Sequence, residues 1–187
     1  MREEHLMTNA TPSFLQITIK TIVVHTVTYF AMGVFALLVF DYAALYAQPA
    51  MAGLMRQTTD PLVMAGPLFQ PIRGLVFALV IYPLRQVVFT KKQGWLVLWW
   101  ILVSLGIVST FGPAPGSIEG LIYTVVPLRH QLIGMLEVVP QALFLALGVV
   151  YWVNHPEKRW LTWLMGTAFA IVILLSIAGL LARSRGV

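Results

Sequence analysis

The sequence predicts an all-α, polytopic integral membrane protein, one bundle of about five transmembrane helices occupying residues 1–187 as a single domain. Three observations lead there. Hydrophobic residues make up 59% of the 187-residue chain and charged ones only 10%, well below the roughly 25% of soluble domains. Apolar runs of about 20 residues or more, each able to cross a bilayer, follow one another with little chain between them. The basic residues fall in short clusters beside these runs, as topology and anionic headgroups require, and the mean hydropathy is +0.84.

The expected spans are residues 19–46, 71–89, 94–111, 128–153 and 160–182. Before the first, Arg2, Glu3, Glu4 and His5 open a polar stretch reaching Lys20, unlike a cleaved signal, so the first span is expected to be retained. Pro71 and Pro127 suit the first turns of the second and fourth spans, where a missing N–H costs little. Trp95, Trp99 and Trp100 open the third span, and Trp152, Trp160 and Trp163 flank the last turn, as an interfacial aromatic belt would have them. The fifth span is uncharged and carries Gly166, Ala170 and Ala178 at small-residue spacing, a pattern for close packing on a neighbour or a second copy.

Two connections, residues 48–70 and 112–127, are long, apolar and rich in Pro and Gly. They are expected to form short interfacial or re-entrant helices over the external mouth of the bundle. In the second, Ser117 reads as an N-cap, which puts Glu119 in the first turn of a short helix. Arg2, Lys20, Lys91, Lys92, Lys158 and Arg159 gather on the side of the N-terminus, against Arg56, Arg183 and Arg185 on the other. The positive-inside rule then gives a cytoplasmic N-terminus and an external C-terminus in the cell (inner) membrane.

Ionic side chains inside such segments cost at least about 2.5–3.5 kcal/mol on insertion scales and turn toward a partner or a cavity. Asp41, Arg73, Arg129, His130, Glu137 and Gln141 are therefore the candidate ligand-binding residues, with Glu137 and His130 the candidate acid and base if there is chemistry. At 100° per residue, His130, Gly134, Glu137 and Gln141 lie on one stripe of the fourth span, and Pro140 frees the carbonyl of Leu136 beside it. The competing arrangement is purely structural, with ion pairs Asp41–Arg73 and Glu137–Arg129. Arg85 is expected to snorkel, and His25 to be a packed, hydrogen-bonded histidine near a helix end.

Whole reaction classes drop out. The chain has no cysteine, and its four histidines lack metal-ligand spacing, so neither disulfide, thiolate chemistry nor a bound metal is expected. There is no P-loop, dinucleotide fingerprint or nucleophile elbow, so no cofactor is expected, and without a basic stripe no nucleic-acid partner. The expected partners are the lipid bilayer, a small-molecule or lipid ligand, and a second copy or a partner membrane subunit. The function expected is binding or transport of a small anionic or amphiphilic ligand in a polar intramembrane pocket. The alternatives are an accessory or sensor subunit of a larger complex, or an enzyme on a lipid-soluble substrate.

An odd number of crossings puts residues 13 and 184 on opposite faces. Single Ser13→Cys and Ser184→Cys variants, otherwise free of thiols, should react with an impermeant reagent from opposite sides of sealed vesicles. Labelling from one side would remove the odd count.

Overall fold

The computed structural model describes residues 12–51 and 53–185, and among these it is all-helical with no strand. The polar opening around residues 2–5 lies outside the described residues. Three helices are long and apolar enough to cross a membrane: α1 (Phe14–Phe40), α8 (Leu128–Asn154) and α9 (Arg159–Ser184). Between them come α2 (Tyr42–Ala47), α3 (Pro61–Met64), α4 (Gly66–Ile81), α5 (Arg85–Thr90), α6 (Gly94–Val103) and α7 (Ile118–Tyr123). The apolar helices α1, α8 and α9 make this an integral membrane protein with lipid as its environment.

Helix α1 starts five residues before the expected boundary because the Ser13 hydroxyl accepts the Gln16 N–H at 3.2 Å. Lys20 thereby falls inside the helix, where its ammonium donates to the Trp152 carbonyl at 2.6 Å and lies over the Trp152 ring. The expected single span to residue 46 breaks at Asp41, whose φ of 48° is left-handed. The Asp41 carboxylate accepts the Ala44 N–H at 3.2 Å, so the residue that ends α1 also caps α2.

The second span also differs from expectation. Pro67, not Pro71, occupies the first turn of α4, and Pro71 lies within the helix. Arg73 consequently sits at the middle of α4 rather than near its end. Pro83 follows the end of α4, and α5 resumes after it, with Arg85 donating to the Tyr82 carbonyl at 3.0 Å and stacking its guanidinium on the Tyr82 ring. Pro127 is the N-cap of α8 rather than its first residue. Helix α6 continues as a π-helical turn, Ser104–Val108, where the Ser109 N–H reaches back to the Ser104 carbonyl at 2.8 Å.

Both connections contain the short helices expected of them. In the second, Ser117 caps α7 by accepting the Gly120 N–H at 2.9 Å, with Glu119 in the first turn. In the first, Asp60 caps α3 by accepting the Leu62 N–H at 2.8 Å and pairs with Arg56 at 3.1 Å. The Leu62 N–H foremost, and Arg56 after it, hold the Asp60 carboxyl below the usual aspartate value. Its contribution is therefore complete above the ordinary aspartate pKa and is lost as the pH falls through the lowered one.

Helix α1 is the centre of the bundle and packs on α4, α8 and α9. Its neighbours α4 and α8 run antiparallel to it: Phe14 meets Tyr82 while His25 meets Gln70, and Lys20 meets Trp152 while Val24 meets Gly148. The main apolar core lies at this level and includes Ile17, Val24, Ala78, Ile81, Val149 and Trp152. Trp99 and Trp152 turn into the bundle, whereas Trp100, Trp160 and Trp163 stay exposed, so the tryptophans are only partly a belt. Of α9 only Val172 and Ser176 are buried.

Two glycines set the helix separations. A Cβ on Gly74 of α4 would stand 2.7 Å from the Ile22 backbone of α1, and one on Gly148 of α8 would stand 2.8 Å from a Val24 methyl. Gly166 of α9, by contrast, has open space at that position. Gly74→Ala is expected to destabilise by about 1–3 kcal/mol in detergent unfolding, because the neighbour is backbone and cannot turn aside. Gly166→Ala should be neutral or slightly stabilising through helix propensity.

Candidate functional site

Arg73 from α4 and Glu137 and Gln141 from α8 line one cavity of about 240 Å³ between α1, α4, α6 and α8. His25 and Tyr29, one helical turn apart on α1, form its facing wall, with Phe77 of α4 beside them. Gly106 and Ile107 of the π-helical turn, and Thr110, Ala114 and Pro115 of the connection to α7, close it from the side of α6. Three of the six predicted residues thus meet at one place.

The polar groups here are met by neutral partners. The His25 Nε2 and Gln70 Oε1 lie 3.0 Å apart in a buried contact between α1 and α4, and Gln70 in turn donates to the Gly66 carbonyl at 2.9 Å. His25 stands near the middle of α1, not near its end, because the helix begins at Phe14. Its Nδ1 is buried without a hydrogen-bond partner among the described residues. Glu137 accepts the Tyr42 hydroxyl at 2.6 Å. Arg73 is an exposed residue whose guanidinium lies 5.5 Å from the centre of the Phe77 ring.

The ion pairs Asp41–Arg73 and Glu137–Arg129 do not form; among the described residues the one ion pair is Arg56–Asp60. The reasons are geometric. Arg73 adjoins Gly74, which packs on Ile22, and Asp41 is 19 residues farther along the chain, about 28 Å at 1.5 Å per residue. Arg129 and Glu137 are separated by about 12 Å along a single helix axis. Arg129 is exposed in the first turn of α8, and Asp41 is spent on its cap. His130 lies outside the cavity, its Nε2 2.9 Å from the Gln48 Oε1 of the first connection. Nor is the Leu136 carbonyl the one taken up beside Pro140: the Trp99 indole donates to the Val139 carbonyl instead, at 3.2 Å.

Sequence reasoning passed over Gln131. Its side chain is 3% exposed, accepts the Gly116 N–H at 3.1 Å and donates to the Val126 carbonyl at 2.9 Å, tying the connection that borders the cavity to α8. Nothing in its spacing marks it. Tyr29 carried a usable signal, since it follows His25 by four residues on one helical face.

A second cavity, of about 430 Å³, lies on the other side of Tyr29 and Glu137, which line both. Among the described residues no three His, Cys, Asp or Glu side chains gather as a metal site would require. Comparison with family models, curated proteins and solved structures finds no match for this chain. What the cavities do must be argued from their chemistry.

Replacing Gln131 by Leu keeps the volume but leaves the Gly116 N–H and the Val126 carbonyl without their partner. The expected cost is about 1–3 kcal/mol for each group left unpaired, and amide exchange at Gly116 should speed up at least tenfold. Unchanged exchange would mean that Gln131 does not hold this connection.

Proposed function

We propose that this protein crosses the cell membrane five times and binds, for retention or transport, a small ligand bearing an anionic group. Arg73 is the partner of that group, and Gln141 and Glu137 orient the remainder. The carrying observation is the convergence of Arg73, Glu137 and Gln141, from two different helices, on one 240 Å³ cavity. Arginine stays protonated in any protein environment, so its charge must be answered by a counter-charge, water or an aromatic face. Here no carboxylate lies within ion-pair distance of it among the described residues, and Phe77 is its aromatic neighbour. The buried His25 Nδ1 on the facing wall adds a polar atom without a hydrogen-bond partner among the described residues. These features suit a ligand better than a sealed packing contact.

The five-crossing reading is supported by α4 and α8 both running antiparallel to α1, as the second and fourth of five crossings would. The 10 residues of α6 and the five of its π-helical continuation cover about 22 Å, short of the roughly 30 Å hydrocarbon core, so the third crossing needs residues 109–111 or a thinned bilayer. A cytoplasmic N-terminus and an external C-terminus follow from the charge distribution, with the α7 connection on the external side.

The test is inorganic phosphate binding by the protein in lipid nanodiscs, followed by isothermal titration. Arg73→Ala should weaken binding at least tenfold, about what one charge-assisted hydrogen bond contributes, with thermal stability retained. Arg129→Ala should leave it within twofold, because Arg129 lies outside the cavity. Equal binding by wild type and Arg73→Ala would overturn the assignment.

A further inference from the structure

The two cavities differ in character and meet at two shared side chains. The smaller holds Arg73, His25 and Gln141; the larger is walled by Phe30, Val34 and Leu37 of α1, Val63 of α3 and Leu175 of α9. Tyr29 and Glu137 belong to both, so the two cavities adjoin at these side chains. Glu137 is held at this junction by the Tyr42 hydroxyl, which itself lines the larger cavity.

The larger cavity also borders the lipid-facing surface. Four of its wall residues, Val34, Leu37, Val63 and Leu175, are between 37% and 54% exposed, so the cavity opens at the surface of the bundle on this side. An apolar chain could therefore enter from the side past these residues. An anionic group would find no cation in that cavity, because its polar side chains are Tyr, Thr and Ser hydroxyls and the carboxyl of Glu137. It would move on to the cavity that contains Arg73.

We infer that the ligand is an anionic amphiphile with one apolar chain, its headgroup on Arg73 in the smaller cavity and its chain in the larger, threaded past Tyr29 and Glu137. This rests on the anion-binding reading above and adds the ligand's class and the path of its chain. The shared chemistry is a carboxylate or phosphate head on a single chain, whether a free acid or a lipid phosphate.

The experiment compares dodecanoate and dodecyl phosphate with inorganic phosphate, titrated into the protein in nanodiscs with empty nanodiscs subtracted. Gly33 lines the larger cavity and has open space where a Cβ would stand, so Gly33→Phe fills the chain's path without meeting backbone. Gly179→Leu does the same from α9, where the nearest atom is the Met64 methyl at an ordinary 3.6 Å. Wild type should bind a dodecyl amphiphile far more tightly than phosphate. Either variant should cut that ratio about tenfold or more, since two methylenes returned to water already amount to this factor. Arg73→Ala should weaken amphiphile and phosphate alike.

If the ratio is the same in wild type and both glycine variants, the chain path is wrong while Arg73-dependent phosphate binding still stands. Phosphate binding indifferent to Arg73 would remove the anion site, and this inference with it. Failure of both dodecyl compounds to bind wild type, with phosphate bound at Arg73, would overturn the amphiphile alone.

Discussion

The fold depends on the close approach of α4 and α8 to α1 across Gly74 and Gly148. In lipid there is no hydrophobic force between helices, because the surrounding chains are as apolar as leucine; association comes from van der Waals contact and from polar groups that find partners. Two missing Cβ atoms, facing Ile22 and Val24 on successive stretches of one helix, let α4 approach the α1 backbone and α8 close on a Val24 methyl at the same level. The buried His25–Gln70 contact lies one turn beyond. The smaller cavity opens beside it, with His25 in its wall.

The buried polar groups in this bundle are answered mainly by neutral partners: His25 by Gln70, Glu137 by Tyr42, and the connection before α8 by Gln131. Burying an ion pair costs desolvation of both members, whereas a neutral donor and acceptor lose less on leaving water. One consequence is that Arg73 is left without a protein carboxylate among the described residues. The charge that the competing, purely structural arrangement would use up in an ion pair is instead available at a cavity.

The last two helices were readable nearly to the residue, 128–153 against Leu128–Asn154 and 160–182 against Arg159–Ser184, because each is a long apolar run with a sharp polar or proline boundary. The short helix α7 was readable from its cap, Ser117, and its first-turn carboxylate. The start of α1 was not, since its cap lies in a polar stretch, and neither was its end, since a left-handed Asp41 has no periodic signature. Pro67 and Pro71 both suit a first turn, and only tertiary contact with Tyr29 and Ile22 selects between them. The ion pairs failed because charges were matched by sign along the sequence, while depth in a bundle depends on where each helix begins. Gly74 and Gly148 are two of the chain's 14 glycines, and no local pattern distinguishes them from Gly166, which touches nothing.

The backbone irregularities bear on whether the polar cavity is a packing defect. Helix α6 widens into a π-helical turn at Ser104–Val108, and α8 carries Pro140 in its interior, each giving up regular hydrogen bonding in a segment otherwise made for lipid. Irregular backbone at membrane depth persists only where protein or a cavity covers it, and π-turns are frequent at functional sites. Both irregularities adjoin the same cavity: Gly106 and Ile107 of the π-turn line it, as do Val138 and Gln141 on either side of Pro140. Across from them, the Trp99 indole takes the Val139 carbonyl and ties α6 to α8 at this level. A void left by poor packing would not need two helices to depart from regularity toward it. Under the proposed reading, these departures lie where a headgroup beside Arg73 would need room.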